Sequence, residues 1–131
     1  MVIERLAGTD VQLYRLIAPL VMNPGILRQN NDYPFRTSKS HIWFVGLRDS
    51  MVVGFIPVEL RGKSAIINNY YVSGDDSSVL ISMLQEAIQN FGENYKLQSV
   101  THTRHISDFQ RKGFSTVRTW KLYVKMEYRK M

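Results

Sequence analysis

A chain of 131 residues with 44% hydrophobic, 21% charged and 11% aromatic residues has the make-up of one folded domain rather than a disordered tail. No apolar run approaches the ~20 residues that span a bilayer, the opening MVIERLAGTD lacks a signal peptide's apolar stretch, and the absence of cysteine excludes disulfides, thiolate nucleophiles and cysteine-ligated zinc. The net charge of +6 sits in the last fifth: residues 1–103 balance nine Lys/Arg with nine Asp/Glu, whereas residues 104–131 set eight Lys/Arg against Asp108 and Glu127.

Thr9 followed by DVQLYRLIAPLV predicts an N-cap and an amphipathic helix that Pro19 ends or bends. Pro24 starts a short second helix, PGILRQN, and NDYPFRTSKS is a loop in which Pro34 keeps Tyr33 out of helical geometry. Three strands follow, His41 to Leu47, Met51 to Leu60 and Ser64 to Val72. The short polar linkers RDS and RGK make them an antiparallel meander. Pro57 inside the middle strand cannot donate to a ladder and marks a bulge or a lost partner.

The stretch YVSGDDSSVLISML turns from strand to helix. Val79, Leu80, Met83, Leu84 and Ile88 give that helix a broad apolar face, and Gly92 closes it. KLQSVTHT is a further strand, reached through a helix and therefore able to lie parallel to the strand before it. HISDFQRKG is a short helix, and the alternation of Trp120, Leu122, Val124 and Met126 with Lys121, Tyr123, Lys125 and Glu127 is a half-buried strand. One domain spanning 1–131, in the order β-α-α-β-β-β-α-β-α-β-β, is the expectation.

That order resembles the GNAT superfamily of acyl-CoA-dependent N-acyltransferases. HIWFVGLRDSMVVGFIPVEL is similar to the family's central hairpin, SAIINNYYV with the next helix to its fourth strand and cofactor helix, and ISDFQRKGFSTV to its short helix ending in Gly-Phe. The resemblance implies an α+β fold, α/β/α in layers. Its twisted, mostly antiparallel sheet of about six or seven strands would hold a splayed parallel central pair, with helices on both faces. It implies acetyl-CoA as acyl donor, with the pantetheine arm in the splay and the pyrophosphate at the following helix N-terminus. Tyr71, Val72, Ser73, Gly74, Ser77, Ser78, His102, Arg104, Arg111 and Lys112 would then contact the cofactor.

The family's cradle carries Gln or Arg and two glycines. Here Gly74 stands alone beside Asp75 and Asp76, and Ser73 with Asp76 forms a Ser-x-x-Asp capping pattern. Helix capping is the reading these residues favour, although Gly74, Ser77 and Ser78 still offer backbone donors. The family's proton-donating Tyr falls at Phe109, and no carboxylate stands at Ala65–Ile67. Substitute acids and bases are Tyr70, Tyr71, His102 and Glu59, with His41 and His105 weaker; three scattered histidines without matching carboxylates make no metal site. Arg28, Asn31, Tyr33, Arg36 and Trp43 are expected on the side of an amine-bearing small molecule or peptide acceptor.

Two other readings compete with an active acyltransferase. One is a GNAT-like binding or regulatory module without catalysis, motivated by Phe109 and the acidic cradle. The other is nucleic-acid binding through Arg118, Lys121, Lys125, Arg129 and Lys130 interleaved with Trp120 and Tyr123; that surplus is equally a lysine-guarded strand edge. A homodimer is admissible, and no membrane partner is expected.

Overall fold

The computed structural model describes residues 1–130. Strand β1 (Val2–Ala7) leads into helices α1 (Val11–Val21) and α2 (Pro24–Gln29), and then into the meander β2 (His41–Arg48), β3 (Met51–Arg61) and β4 (Ser64–Ile67). A two-residue strand, β5 (Tyr71–Val72), and a single 3-10 turn (Ser73–Asp75) precede α3 (Ser77–Phe91). The rest is β6 (Lys96–His102), a second turn (Thr103–His105), α4 (Ile106–Arg111), β7 (Phe114–Thr119) and β8 (Tyr123–Tyr128). The eight strands form one mixed sheet in the order β1-β2-β3-β4-β6-β8-β7, with β5 beside β3. Only β4 and β6 run parallel among the described residues.

Helix ends differ from expectation by small steps. Asp10, not Thr9, caps α1, accepting from Gln12 N at 2.8 Å in an extended backbone geometry. The helix runs through Pro19 to Val21, because the ring removes a single hydrogen bond while Leu20 and Val21 still pack on the core beneath. Asp76 caps α3 by itself; Ser73 belongs to the separate turn and makes no side-chain capping bond, so the expected Ser-x-x-Asp box does not form.

Each face of the sheet carries a buried cluster. On one, Phe44, Ile56, Ala65, Ile67 and Leu97 meet Leu80, Met83, Leu84, Ala87 and Phe91 of α3 and Phe109 of α4. On the other, Trp43, Val45 and Phe55 meet Leu13 and Ile17 of α1. Alternation along β2 sends Phe44 to the first cluster and Trp43 and Val45 to the second, as the period of two requires.

The stretch from Ser64 to Val72, expected as one strand, is broken. Leu60 N donates to Ser40 O, so alternate β3 residues face β2, and Pro57 faces the other way, toward β4 and β5. Proline has no N–H to offer there, and the pairing slips. Between the Val58–Ile67 and Phe55–Tyr71 pairs, β3 has Ile56 and Pro57 while the opposite side has Asn68, Asn69 and Tyr70. Asn69 absorbs the extra residue in a left-handed conformation, φ 55°.

The parallel β4–β6 ladder runs from Ser64–Lys96 to Ile67–Ser99 and stops at the bulge. Beyond it β5 turns to β3 while Val100–His102 stay with β8, and the two parallel segments part as a fork. Because Phe55 and Tyr71 face each other across the ladder, Val72 directs its backbone N–H and C=O away from β3, toward the gap.

Candidate active site

The fork opens on one side into a cavity of about 420 Å³ lined by Asn68, Asn69 and Val100 at the splay, Tyr33 from the loop after α2, and Trp120–Tyr123 from the β7–β8 hairpin. A second cleft of about 340 Å³ shares Tyr33, Asn68 and Asn69 and adds Arg36, His41, Glu59 and Arg61. A buried asparagine ties the two walls together: Asn30 Nδ2 donates to Asn69 Oδ1 at 2.9 Å and to Tyr33 O at 3.0 Å, while Tyr123 Oη donates to Asn30 O at 3.1 Å. Tyr33 and Tyr123 meet edge to face, centroids 6.1 Å apart.

On the α3–α4 side the fork is filled by a polar chain. Tyr70, 2% exposed, places its hydroxyl 3.1 Å from His102 N, from which it accepts, and 2.7 Å from His105 Nδ1. His105 Nε2 lies 2.7 Å from Asp75 Oδ1. Arg104 Nε reaches both oxygens of Asp75, at 3.1 and 3.2 Å, and Arg104 Nη2 donates to Gln29 O at 3.2 Å. Burial pushes the Tyr70 phenol well above its ordinary range, keeping it protonated. Burial also raises Asp75, but hydrogen bonds from Arg104 and His105 outweigh it and hold the carboxyl below the usual range.

His102 is buried between the Tyr70 and Tyr123 rings, at 5.1 and 4.9 Å, and its Nδ1 has no partner among the described residues. Burial, and then the charges of Arg104 and His105, push it down to about 4. The unfolded chain therefore takes up a proton that the folded protein refuses. This contribution is complete above pH ~6.5 and lost as pH falls through about 4. We expect about 3 kcal/mol to disappear across that window through this one group, read by urea unfolding at stepped pH, and His102→Asn to flatten the slope. A curve level from pH 7 to 4 contradicts it.

An acyl-CoA arm fits one part of this region and not another. The free edge of Val72 offers backbone groups to an extended, amide-bearing chain. The α3 N-terminus is occupied by its own acids: Asp76 Oδ1 accepts from Ser78 N at 2.9 Å, Val79 N at 3.3 Å and Ser78 Oγ at 2.7 Å. Ser77 Oγ donates to the buried Asp108 at 3.0 Å, and Arg104 is engaged by Asp75. Gly74, at φ 63° with nothing near its missing Cβ, leaves the turn open to solvent.

The remaining expected residues scatter. Val72 is buried beside the gap, and Ser73 lies exposed in the turn. Tyr71 packs its ring on Phe55, at 5.5 Å, in the α1-side cluster. Glu59 lies in the second cleft, held by Arg61 at 2.7 Å. Tyr33 and Arg36 line the clefts, Arg28 is exposed on α2, and Asn31 sits at φ 54° in the following loop. Trp43 is fully buried and donates to Thr37 Oγ1 at 2.9 Å, bracing the loop from within. Arg111 and Lys112 end α4 beside Gly113 and Tyr128, away from the fork. Asn69 and Asp75 carry the local geometry; the sequence marks Asp75 as a cradle acid but not its link to His105, since no local spacing ties it to a histidine thirty residues on.

No helix of the described residues is long and apolar enough to cross a membrane. No family model and no curated protein matches the sequence. Solved structures match in shape. ElaA of Escherichia coli superposes with a TM-score of 0.73 at 11% identity, covering 98% of this chain and 100% of that one. An acyl-CoA N-acyltransferase from Pseudomonas aeruginosa gives 0.74 at 12%, with the same coverages. The N-acetyltransferase PseH of Campylobacter jejuni, solved in complex with acetyl coenzyme A, gives 0.60 at 13%, covering 99% and 100%. With its mixed sheet and a parallel pair that forks, the chain has the GNAT fold.

Proposed function

We propose that this chain is an acyl-CoA-dependent N-acyltransferase, with the acyl-bearing arm in the fork and an amine acceptor in the aromatic cleft. The parted β5 and β6 segments carry this reading, because among the described residues they leave the Val72 edge without a strand partner on that side. When bound, acyl-CoA supplies an activated acyl group on a thioester. Val72 would hold the arm as an added strand. Tyr33, Trp120 and Tyr123 offer ring faces to an amine-bearing small molecule or peptide end, and Glu59 offers a carboxylate in the adjoining cleft. Tyr70 brings a hydroxyl onto the β6 arm of the fork, accepting from His102 N, and is assigned the proton transfer; Phe109, which cannot donate, packs on its ring at 5.6 Å.

Binding is the direct test. Acetyl-CoA at about 100 times its Kd should stabilise the fold by about 2.7 kcal/mol, seen as a rise in Tm. No shift at millimolar acetyl-CoA removes the proposal.

A second reading, a GNAT-fold binding module without turnover, is favoured by the Asp75 links to Arg104 and His105 across the fork mouth and by the Asp76 cap. Release of free thiol from acetyl-CoA with any amine excludes it.

A further inference from the structure

Asp75, His105 and Tyr70 form a hydrogen-bonded line from the protein surface into the fork, and the chemistry of each partner sets its direction. The Asp75 carboxylate, half exposed, only accepts, so His105 Nε2 carries the hydrogen across the 2.7 Å contact. A neutral imidazole then has its lone pair on Nδ1, which receives the Tyr70 hydroxyl hydrogen over 2.7 Å. The Tyr70 oxygen accepts in turn from His102 N–H at 3.1 Å, a donor placed to stabilise negative charge on that oxygen. Burial lowers the His105 pKa, and Asp75 partly offsets it, which agrees with a neutral resting ring.

We propose that Asp75 and His105 are positioning residues of a two-way proton relay through Tyr70, which takes a proton from the attacking amine and returns one to the departing sulfur. This rests on the acyltransferase reading. As the C–N bond forms, an amine proton passes to the Tyr70 oxygen while the Tyr70 hydrogen passes to His105 Nδ1, and Asp75 balances the imidazolium. As the C–S bond breaks, its electron pair leaves on sulfur. His105 Nδ1 returns its proton to Tyr70, which gives its hydrogen to that sulfur. One N–H and one C–S bond are exchanged for one C–N and one S–H bond, and no other reactant is needed. The arrangement needs no tyrosine at position 109, where Phe109 packs against the Tyr70 ring.

The charged and titratable groups around His105 are Asp75 from the turn after β5, Arg104 beside it in its own turn, Asp108 from α4, His102 from the end of β6 and Tyr70 from the bulge. Asp75 and, more weakly, Asp108 raise the imidazole's proton affinity, so on removing Asp75 the acid limb of the rate profile should move to lower pH.

The test combines a measurement on the free protein with kinetics. Nitrogen-15 spectra of the unliganded wild type should show His105 as the Nε2–H tautomer at neutral pH, and Asp75→Asn should disturb that tautomer. In acetyl-CoA turnover, Asp75→Asn should lower kcat about 10- to 100-fold with an unchanged acceptor KM, shift the acid limb downward, and be partly rescued by Asp75→Glu. Coenzyme A affinity should meanwhile rise, since a carboxylate is lost from the mouth. A wild-type Nδ1–H tautomer overturns the relay. So does an Asp75→Asn variant whose kcat holds steady or rises with its affinity, the behaviour of a carboxylate that only guards the mouth. If wild type neither binds nor turns over acetyl-CoA, the acyltransferase reading falls and the relay with it.

Discussion

On the acyltransferase proposal, Tyr70→Phe is expected to lower acetyl-CoA turnover about 10²- to 10⁴-fold while acetyl-CoA affinity stays near that of the wild type. The phenol is the hydroxyl that bonds a backbone amide facing the fork, and the ring packs against Phe109, His102 and His105 at 5.6, 5.1 and 5.5 Å. Phenylalanine preserves that packing and removes a single oxygen. It leaves His102 N–H and His105 Nδ1 without their partner, which costs about 1–3 kcal/mol of stability, so kinetics and thermal unfolding are measured together. A rate drop of less than about threefold in a folded variant would take the proton-carrying role away from Tyr70.

Phe55→Ala is expected to destabilise the fold by about 3–5 kcal/mol, a large part of the ~5–15 kcal/mol that holds a domain of this size. Phe55 is wholly buried, with the rings of Trp43 and Phe35 each 5.1 Å away and Tyr71 at 5.5 Å. Three aromatic neighbours held by separate strands and a loop cannot all collapse into the space left behind. The urea midpoint should fall with little change in m. Because Phe55 pairs with Tyr71 across the β3–β5 ladder, the loss also loosens the two-residue strand that forms one arm of the fork. Acetyl-CoA binding should therefore weaken in the same variant. A loss below about 1 kcal/mol would mean that the cluster refills the space.

Much of the architecture is legible along the chain. The alternation of Phe44 with Trp43 and Val45, the apolar face of α3 and the polar RDS and RGK links each state a local structure without reference to anything distant. Structure and sequence differ in detail where two nearby residues offer the same chemistry. Thr9 and Asp10 both cap helices, and so do Ser73 and Asp76; backbone geometry decided for the acids. Pro57 announces a disturbance in its ladder, but which neighbour it disturbs follows only from the register set by Leu60 and Ser40. That register places the break at Asn68–Tyr70, inside what reads as one continuous strand.

The acidic pair at the α3 entrance divides in the same way. Asp76 does what its position beside a helix suggests. Asp75 does not: a left-handed φ of 51° turns it out of the helix and onto Arg104 and His105. Nothing near it in the chain requires that turn.

The amino-acid sequence alone determined the order of elements, their buried faces and the presence of a parallel pair reached through a helix, because periodicity, capping and proline's missing donor act between close neighbours. Tertiary structure alone decided what lines the α3–α4 side of the fork: the Tyr70 hydroxyl between His102 and His105, and Asp75 behind them. Those contacts are directional hydrogen bonds between groups about thirty residues apart, and they form only where packing of α3 and α4 on the sheet brings the two turns together.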